Sequence, residues 1–215
     1  MLGTLTTVVP ADDPAALIET LAGGDVAAVI FEASGAHYGQ LPLAPSFIGM
    51  ARDACTASGT LLVFDKVVSG FRVAPGGMQE VLGITPDMSV LGKVMSGGMP
   101  AGAVVGRGDL LELLATTIRH PGTWNANPLS AVAGIETLRI VADGVPQRTA
   151  EAYASSLERE WTSALAAAGV GGEIRRFSSI LHVLLDDPTA QARIANEMRV
   201  EGVDLLNASA FCSCG

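Results

Sequence analysis

Thr60-Leu-Leu-Val-Phe-Asp-Lys66 is an apolar run closed by an acid and a base. Its apolar part shows no alternation of polar and apolar residues. A short, unbroken run of this kind predicts a strand covered on both faces, which belongs in a mostly parallel sheet. Three similar runs flank it: Val26-Ala-Ala-Val-Ile-Phe31 before, and Met88-Ser-Val-Leu91 and Ala101-Gly-Ala-Val-Val105 after. Between the first two strands, Pro45 to Ser58 predicts a helix that Gly59 ends.

Further along, Asn127-Pro128 predicts a helix start. Asn can cap, and Pro at the first helical position gives up only a donor that would be unpaired anyway. That helix runs to about Ala142 and stops at Gly144. A second begins near Pro146, carries an apolar stripe of Tyr153, Leu157, Trp161 and Leu165, and ends at Gly169. Phe177 to Leu185 reads as a strand, Pro188 to Val200 as a helix, and Gly202 to Leu206 as one more strand. The front is therefore α/β with a mostly parallel sheet, and the back is a long helix pair followed by a small α+β piece. The division falls after residue 142, giving units 1–142 and 143–215.

The chain has 215 residues, of which 49 % are hydrophobic and 16 % charged, with a formal net charge of −9. Such an apolar chain is built to bury surface. Its acidity repels phosphate backbones and argues against a nucleic-acid partner. No apolar run approaches the roughly 20 residues needed to span a bilayer, so no membrane partner is expected. Met1 to Pro10 places no basic residue ahead of an apolar stretch, so no signal peptide is read there. The cysteines are Cys55, Cys212 and Cys214. A low, odd count suits a reducing cytoplasm, and no Cys or His cluster completes the Cys212-x-Cys214 pair into a metal site.

Only two residues are lysines, Lys66 and Lys93. Ligands of a parallel sheet sit in the crevice outside the carboxyl ends of its strands. Asp65 follows one apolar run directly, and Lys93 follows another after a single glycine. A carboxylate at that edge can pair with a protonated pyridine nitrogen, and a lysine amine there can form a Schiff base and shuttle a proton. The alternative for each lysine is a plain surface residue at a strand end. Thr123, in a loop just ahead of the Asn127-Pro128 helix start, offers a hydroxyl beside free backbone donors, which suits a phosphate. Elsewhere, Ser34-Gly-Ala-His37 has no nucleophile-elbow spacing, there is no Walker motif, and His182 fits a structural role inside its strand.

Phe64-Asp-Lys-Val-Val-Ser-Gly-Phe-Arg72 resembles the class III aminotransferase motif in which Asp-Glu-Val precedes Gly-Phe-Arg. Thr85-Pro-Asp-Met-Ser-Val-Leu-Gly-Lys-Val-Met-Ser-Gly-Gly-Met-Pro100 resembles that family's lysine motif. Gly122-Thr-Trp-Asn-Ala-Asn-Pro128 resembles its phosphate-contacting threonine motif. Gly70-Phe-Arg-Val-Ala74, with Gln79 beyond it, is most similar to the glutamate-1-semialdehyde aminomutase branch. The motifs come in family order from about Asp25 to about Leu206.

The resemblance implies the fold-type I architecture, with a partial large cofactor-binding domain over 1–142 and a partial C-terminal domain over 143–215. It implies pyridoxal 5'-phosphate as cofactor, Lys93 as the catalytic Schiff-base lysine, and Asp65 as the partner of the pyridine nitrogen. Val67 would pack on the ring, and Thr123 would reach the phosphate from the partner subunit of a homodimer. The substrates would be a small-molecule amino donor and acceptor, an amino acid or amino-aldehyde.

Three departures from the family pattern stand out. Lys66 replaces the motif's glutamate and is expected either to pair with Asp65 or to point to solvent. Glu32-Ala33 replaces a Glu-Pro. The family's Ser-Gly-Thr phosphate loop and ring-stacking aromatic are not found before Val26, nor its last strands after about Leu206. The competing expectation is therefore a truncated, non-catalytic remnant or interaction module of the same fold.

Overall fold

The computed structural model describes residues 5–34, 42–205 and 209–212. The expected strand at Thr60 is β2 (Leu61–Lys66), which pairs in parallel with β1 (Ala28–Phe31) and with β3 (Met88–Leu91). A fourth strand, β4 (Ala103–Gly106), runs antiparallel to β3, giving the order β1-β2-β3-β4. Connections between the parallel strands carry helices, as a parallel crossover requires. These are α2 (Pro45–Ser58) from β1 to β2 and the short α3 (Met78–Leu82) from β2 to β3. Gly59 ends α2 in the left-handed conformation (φ 73°), where a side chain would be strained.

The pleat sorts the β2 side chains to opposite faces. Phe64 stacks obliquely on its register partner Phe31 at 5.4 Å, and Phe31 meets Phe47 of α2 at 6.3 Å. Leu17 and Leu21 of α1 (Pro14–Ala22) join Ile48, Ala51 and Cys55 in the same core. Each large side chain buried there contributes about 1.5–3 kcal/mol.

The opposite face of the sheet departs from expectation. Ile30 is 65 % exposed and Val104 47 % exposed, although unbroken apolar strands are read as covered on both sides. Helices α1 and α2 pack on one face, and on the other, among the described residues, Ile30 and Val104 are left open while Val63 is buried.

After β4 come two one-turn helices, α4 (Gly108–Leu111) and α5 (Leu113–Thr116), and then α6 (Pro128–Val141) and α7 (Val145–Ala168). Both long helices match the expected limits, with Asn127 capping the first. On α7, Leu157 and Trp161 pack with Ala154 against the second sheet, but Tyr153 is exposed, so the stripe is shorter than its spacing implies.

The second sheet corrects two expectations. Phe177 to Leu185 is not one strand but the meeting of β5 (Gly172–Phe177) and β6 (Ile180–Leu185), an antiparallel pair turning at Ser178-Ser179. Ser178 has a positive φ of 51° there. Residues 201–205 form a turn and irregular chain rather than a strand, and Leu206 lies outside the described residues. The third strand is instead β7 (Ser209–Phe211), antiparallel to β6. Helix α8 (Pro188–Val200) falls as expected, capped by Asp187. Among the described residues no helix is long and apolar enough to cross a membrane, and no His, Cys, Asp or Glu cluster could hold a metal.

Candidate functional site

Asp65 and Lys93 come from neighbouring parallel strands at the same, carboxyl, end. Asp65 is the penultimate residue of β2 and registers with Val90, while Lys93 stands two residues beyond the end of β3. The Asp65 carboxylate accepts a hydrogen bond from the Val67 backbone N–H at 2.9 Å, which bends the chain out of the strand. By the pleat, Asp65 shares a face with Val63, and Val67 continues past the strand end. A Cβ placed on Gly92 would meet a Val67 methyl at 3.4 Å, so glycine leaves room for the valine beside Lys93.

Lys93 is exposed and has a φ of 47°, which an L side chain adopts at a cost of roughly 1 kcal/mol. It opens a single 3-10 turn, Lys93–Ser96, that α6 braces from outside. Gly134 of α6 lies against the Met95 carbonyl, with 3.4 Å left for any Cβ, and the Ser130 hydroxyl donates to the Pro100 carbonyl at 2.9 Å. The helix that follows Thr123 is thus docked on the loop that carries Lys93.

Thr123 itself is exposed in a turn over residues 123–126. Asn127 caps α6 by accepting from the Leu129 and Ser130 amides, at 3.0 and 3.2 Å. The Asn125 side chain holds the turn by donating to the His120 carbonyl at 2.9 Å. Trp124, beside the threonine, is 80 % exposed.

A cavity of about 350 Å³ lies elsewhere, on the sheet face that carries Lys66 and Leu91. None of Asp65, Val67, Lys93 or Thr123 lines it. Lys66 neither pairs with Asp65 nor points to solvent, as the sequence leads one to expect. Adjacent strand residues face opposite ways, so the pleat separates the two side chains. The Lys66 side chain is buried, and its ammonium donates to Gln79 Oε1 at 2.9 Å and to the Gly76 carbonyl at 3.4 Å. Burial pushes this amine below the ordinary lysine range. Gly70 is obligatory beside it, because a Cβ there would lie 2.6 Å from the Lys66 carbonyl.

The model of the family described as aminotransferase class-III matches residues 11–212. The chain belongs to the class III aminotransferases. A glutamate-1-semialdehyde 2,1-aminomutase from Thermomicrobium roseum is 35 % identical over 210 residues, covering 96 % of this chain and 48 % of that relative. The corresponding enzyme from Prosthecochloris aestuarii is 42 % identical over 137 residues, 63 % of this chain and 32 % of that protein. Among solved structures, one described as a transaminase with PLP bound superposes with a TM-score of 0.87 at 28 % identity, covering 96 % of this chain and 52 % of that one. An omega-transaminase from Sphaerobacter thermophilus gives 0.83 at 29 %, over 97 % and 52 %. The chain spans about half the length of these structures and a third to a half of the curated relatives. Its α/β fold with a mostly parallel sheet is that of these PLP-dependent transaminases.

Two acids of this class III chain carry structural tasks that the sequence motifs do not announce. Glu32, just past β1, accepts from the Ser34 amide, the Ser34 hydroxyl and the Ser69 hydroxyl at 3.0, 2.6 and 2.8 Å. It thereby ties the end of β1 to the turn after β2. Asp87, ahead of β3, accepts from the Leu62 amide and from Arg52 at 2.8 Å each, and from Arg107 at 3.1 Å. The signal for Asp87 is its place one residue before a buried strand, beside a proline. Ser34 is buried, but His37, read with it as a nucleophile and base, lies outside the described residues.

Proposed function

We propose that this chain takes part in pyridoxal 5'-phosphate-dependent amino transfer, as an aminotransferase or aminomutase, with Lys93 as the residue that holds the cofactor. The observation that carries this reading is the pair of chemically opposite groups, Asp65 and Lys93, at the same end of adjacent parallel strands in a class III aminotransferase fold. The residues present fit the group. An acid, a small apolar side chain and an amine follow one another along that edge, and Gly92 leaves room where the valine passes the lysine loop.

When bound, the cofactor supplies a ring that withdraws electrons from a substrate's amino-bearing carbon. Asp65 would keep a proton on the ring nitrogen by pairing with it. Val67 would pack against one ring face. The Lys93 amine would anchor the cofactor and then move a proton to and from the substrate α-carbon. Lys93 opens a 3-10 turn with a positive φ, the kind of backbone conformation that collects at functional sites. Thr123 would meet the phosphate from a partner protomer, so the assembly we propose is a homodimer. Its exposure together with Trp124 supports that role. We read the chain as a cofactor-binding unit over 1–142 and a C-terminal unit over 143–215, a division that its two separate sheets support. A cytoplasmic location is consistent with Cys55 and Cys212 both being free thiols. The substrates are read as small amino acids or amino-aldehydes.

The test is spectroscopic. The purified chain mixed with pyridoxal phosphate should develop a lysine-linked band near the visible edge, and Lys93→Ala should abolish it. Uptake that is unchanged in Lys93→Ala overturns the assignment. A folded wild-type chain that takes up no cofactor favours the non-catalytic remnant, whose supporting observation is the exposure of Ile30 and Val104 on one sheet face.

A further inference from the structure

We infer that the cavity around Lys66 is a second ligand site, built for a small monocarboxylate with a short apolar body. It lies on the face of the sheet opposite Asp65, so it is not part of the proposed cofactor site.

The first argument is charge. Lys66 is 6 % exposed, and its two partners, Gln79 Oε1 and the Gly76 carbonyl, are both neutral. Among the described residues it forms no salt bridge. Glu80 lines the same cavity, but its carboxylate accepts from the Gly76 amide at 2.6 Å and makes no ion pair with Lys66. A buried ammonium without a counter-ion is costly, and an anion that enters the cavity removes that cost. Two of the three ammonium donors are used, which leaves one for the ligand.

The second argument is the kind of anion. Glu80 would repel a dianion such as phosphate, while a single carboxylate balances the single lysine. Phe71, Pro75, Leu91 and Val105 supply apolar wall. Such walls disfavour a fully hydrated inorganic ion and suit a branched or short alkyl chain. The volume, about 350 Å³, is at the small end of ligand pockets. The departure from the family's glutamate thus has a local consequence. It places a cation where the motif has an anion, and it does so inside a cavity.

Calorimetric titration of the full chain with isovalerate tests the site, with isovaleramide as the uncharged isostere and inorganic phosphate as the competing anion. Isovalerate should bind, with the amide and phosphate each at least about tenfold weaker. Lys66→Met should lose at least about tenfold in isovalerate affinity. Val105→Phe fills the cavity without touching the ammonium and should lose affinity as much, with circular dichroism unchanged. The inference is overturned if isovalerate fails to bind the wild-type chain, if the amide or phosphate binds as well, or if folded Val105→Phe retains full affinity. Lys66→Met should still take up pyridoxal phosphate. The two sites therefore fail independently.

Discussion

Asp87 joins three strands through one carboxylate. Its Oδ2 receives the Leu62 amide of β2 and Arg52, and its Oδ1 receives Arg107 from beyond β4. Burial pushes the carboxyl up, but the Leu62 amide and the two guanidinium groups outweigh burial and hold it below the usual carboxylate range. A depressed folded value means that the stabilisation is complete above the unfolded value of about 3.9 and is lost as pH falls through the folded value. Asp87→Asn should therefore cost about 2 kcal/mol at neutral pH, since it weakens charge-assisted bonds at a buried position. It should also flatten the acid limb of a stability-against-pH curve measured by urea denaturation. An Asn variant with wild-type stability at pH 7 and an unchanged acid limb contradicts this role. At the same scale, the sequence made the placement of Asp65 and Lys93 at one sheet edge legible, because residue type at a strand end is a local signal. The fate of Lys66 was not legible from charge, since proximity in sequence to Asp65 says nothing of contact. The alternation of a strand already separates the two, and only the fold shows a cavity on the far side.

At the scale of elements, helix limits were readable because caps are local chemistry. Pro45, Gly59, Asn127, Gly144, Asp187 and Gly169 all sit at helix boundaries. The hairpin of β5 and β6 was not readable. Gly-Glu-Ile-Arg-Arg-Phe is polar for a strand, and Arg176 is held there by partners that include Glu158 of α7 at 2.6 Å. That partner is 18 residues away, outside any local window. The last strand was displaced for a related reason, since β7 is defined by pairing with β6 rather than by its own composition. A cap also gives the prediction that belongs here. Asn127 accepts two amide bonds at the start of the helix that follows Thr123. Asn127→Ala should destabilise the chain by about 1 kcal/mol. Hydrogen exchange should quicken at Leu129 and Ser130 while β2 and β3 stay protected. Uniform loss of protection would mean that the cap supports the whole unit rather than its helix end.

At the scale of the molecule, apolar surface decides what the chain does in solution. Leu129, Val132 and Ile135 follow one another at three-residue steps along α6, and each is at least half exposed. With Trp124 at 80 % exposure just ahead of them, they form a contiguous apolar edge beside the turn of Thr123. Apolar patches of this kind on a soluble protein mark contact surfaces. The net charge of −9 opposes association only at long range and is screened beyond about 8 Å at physiological salt. If the α6 edge is where two copies meet, sedimentation at micromolar concentration should give a mass above that of one 22.0 kDa chain. Val132→Glu combined with Ile135→Glu should shift it to the monomer. Both residues are exposed, so each change alters stability by no more than about 0.5 kcal/mol, and the helical signal should persist. The same double variant should weaken pyridoxal phosphate uptake without touching Lys93, because Thr123 of each copy would no longer reach the other's site. A monomeric wild-type chain that takes up the cofactor fully would place the phosphate contact within one chain and remove the need for a partner.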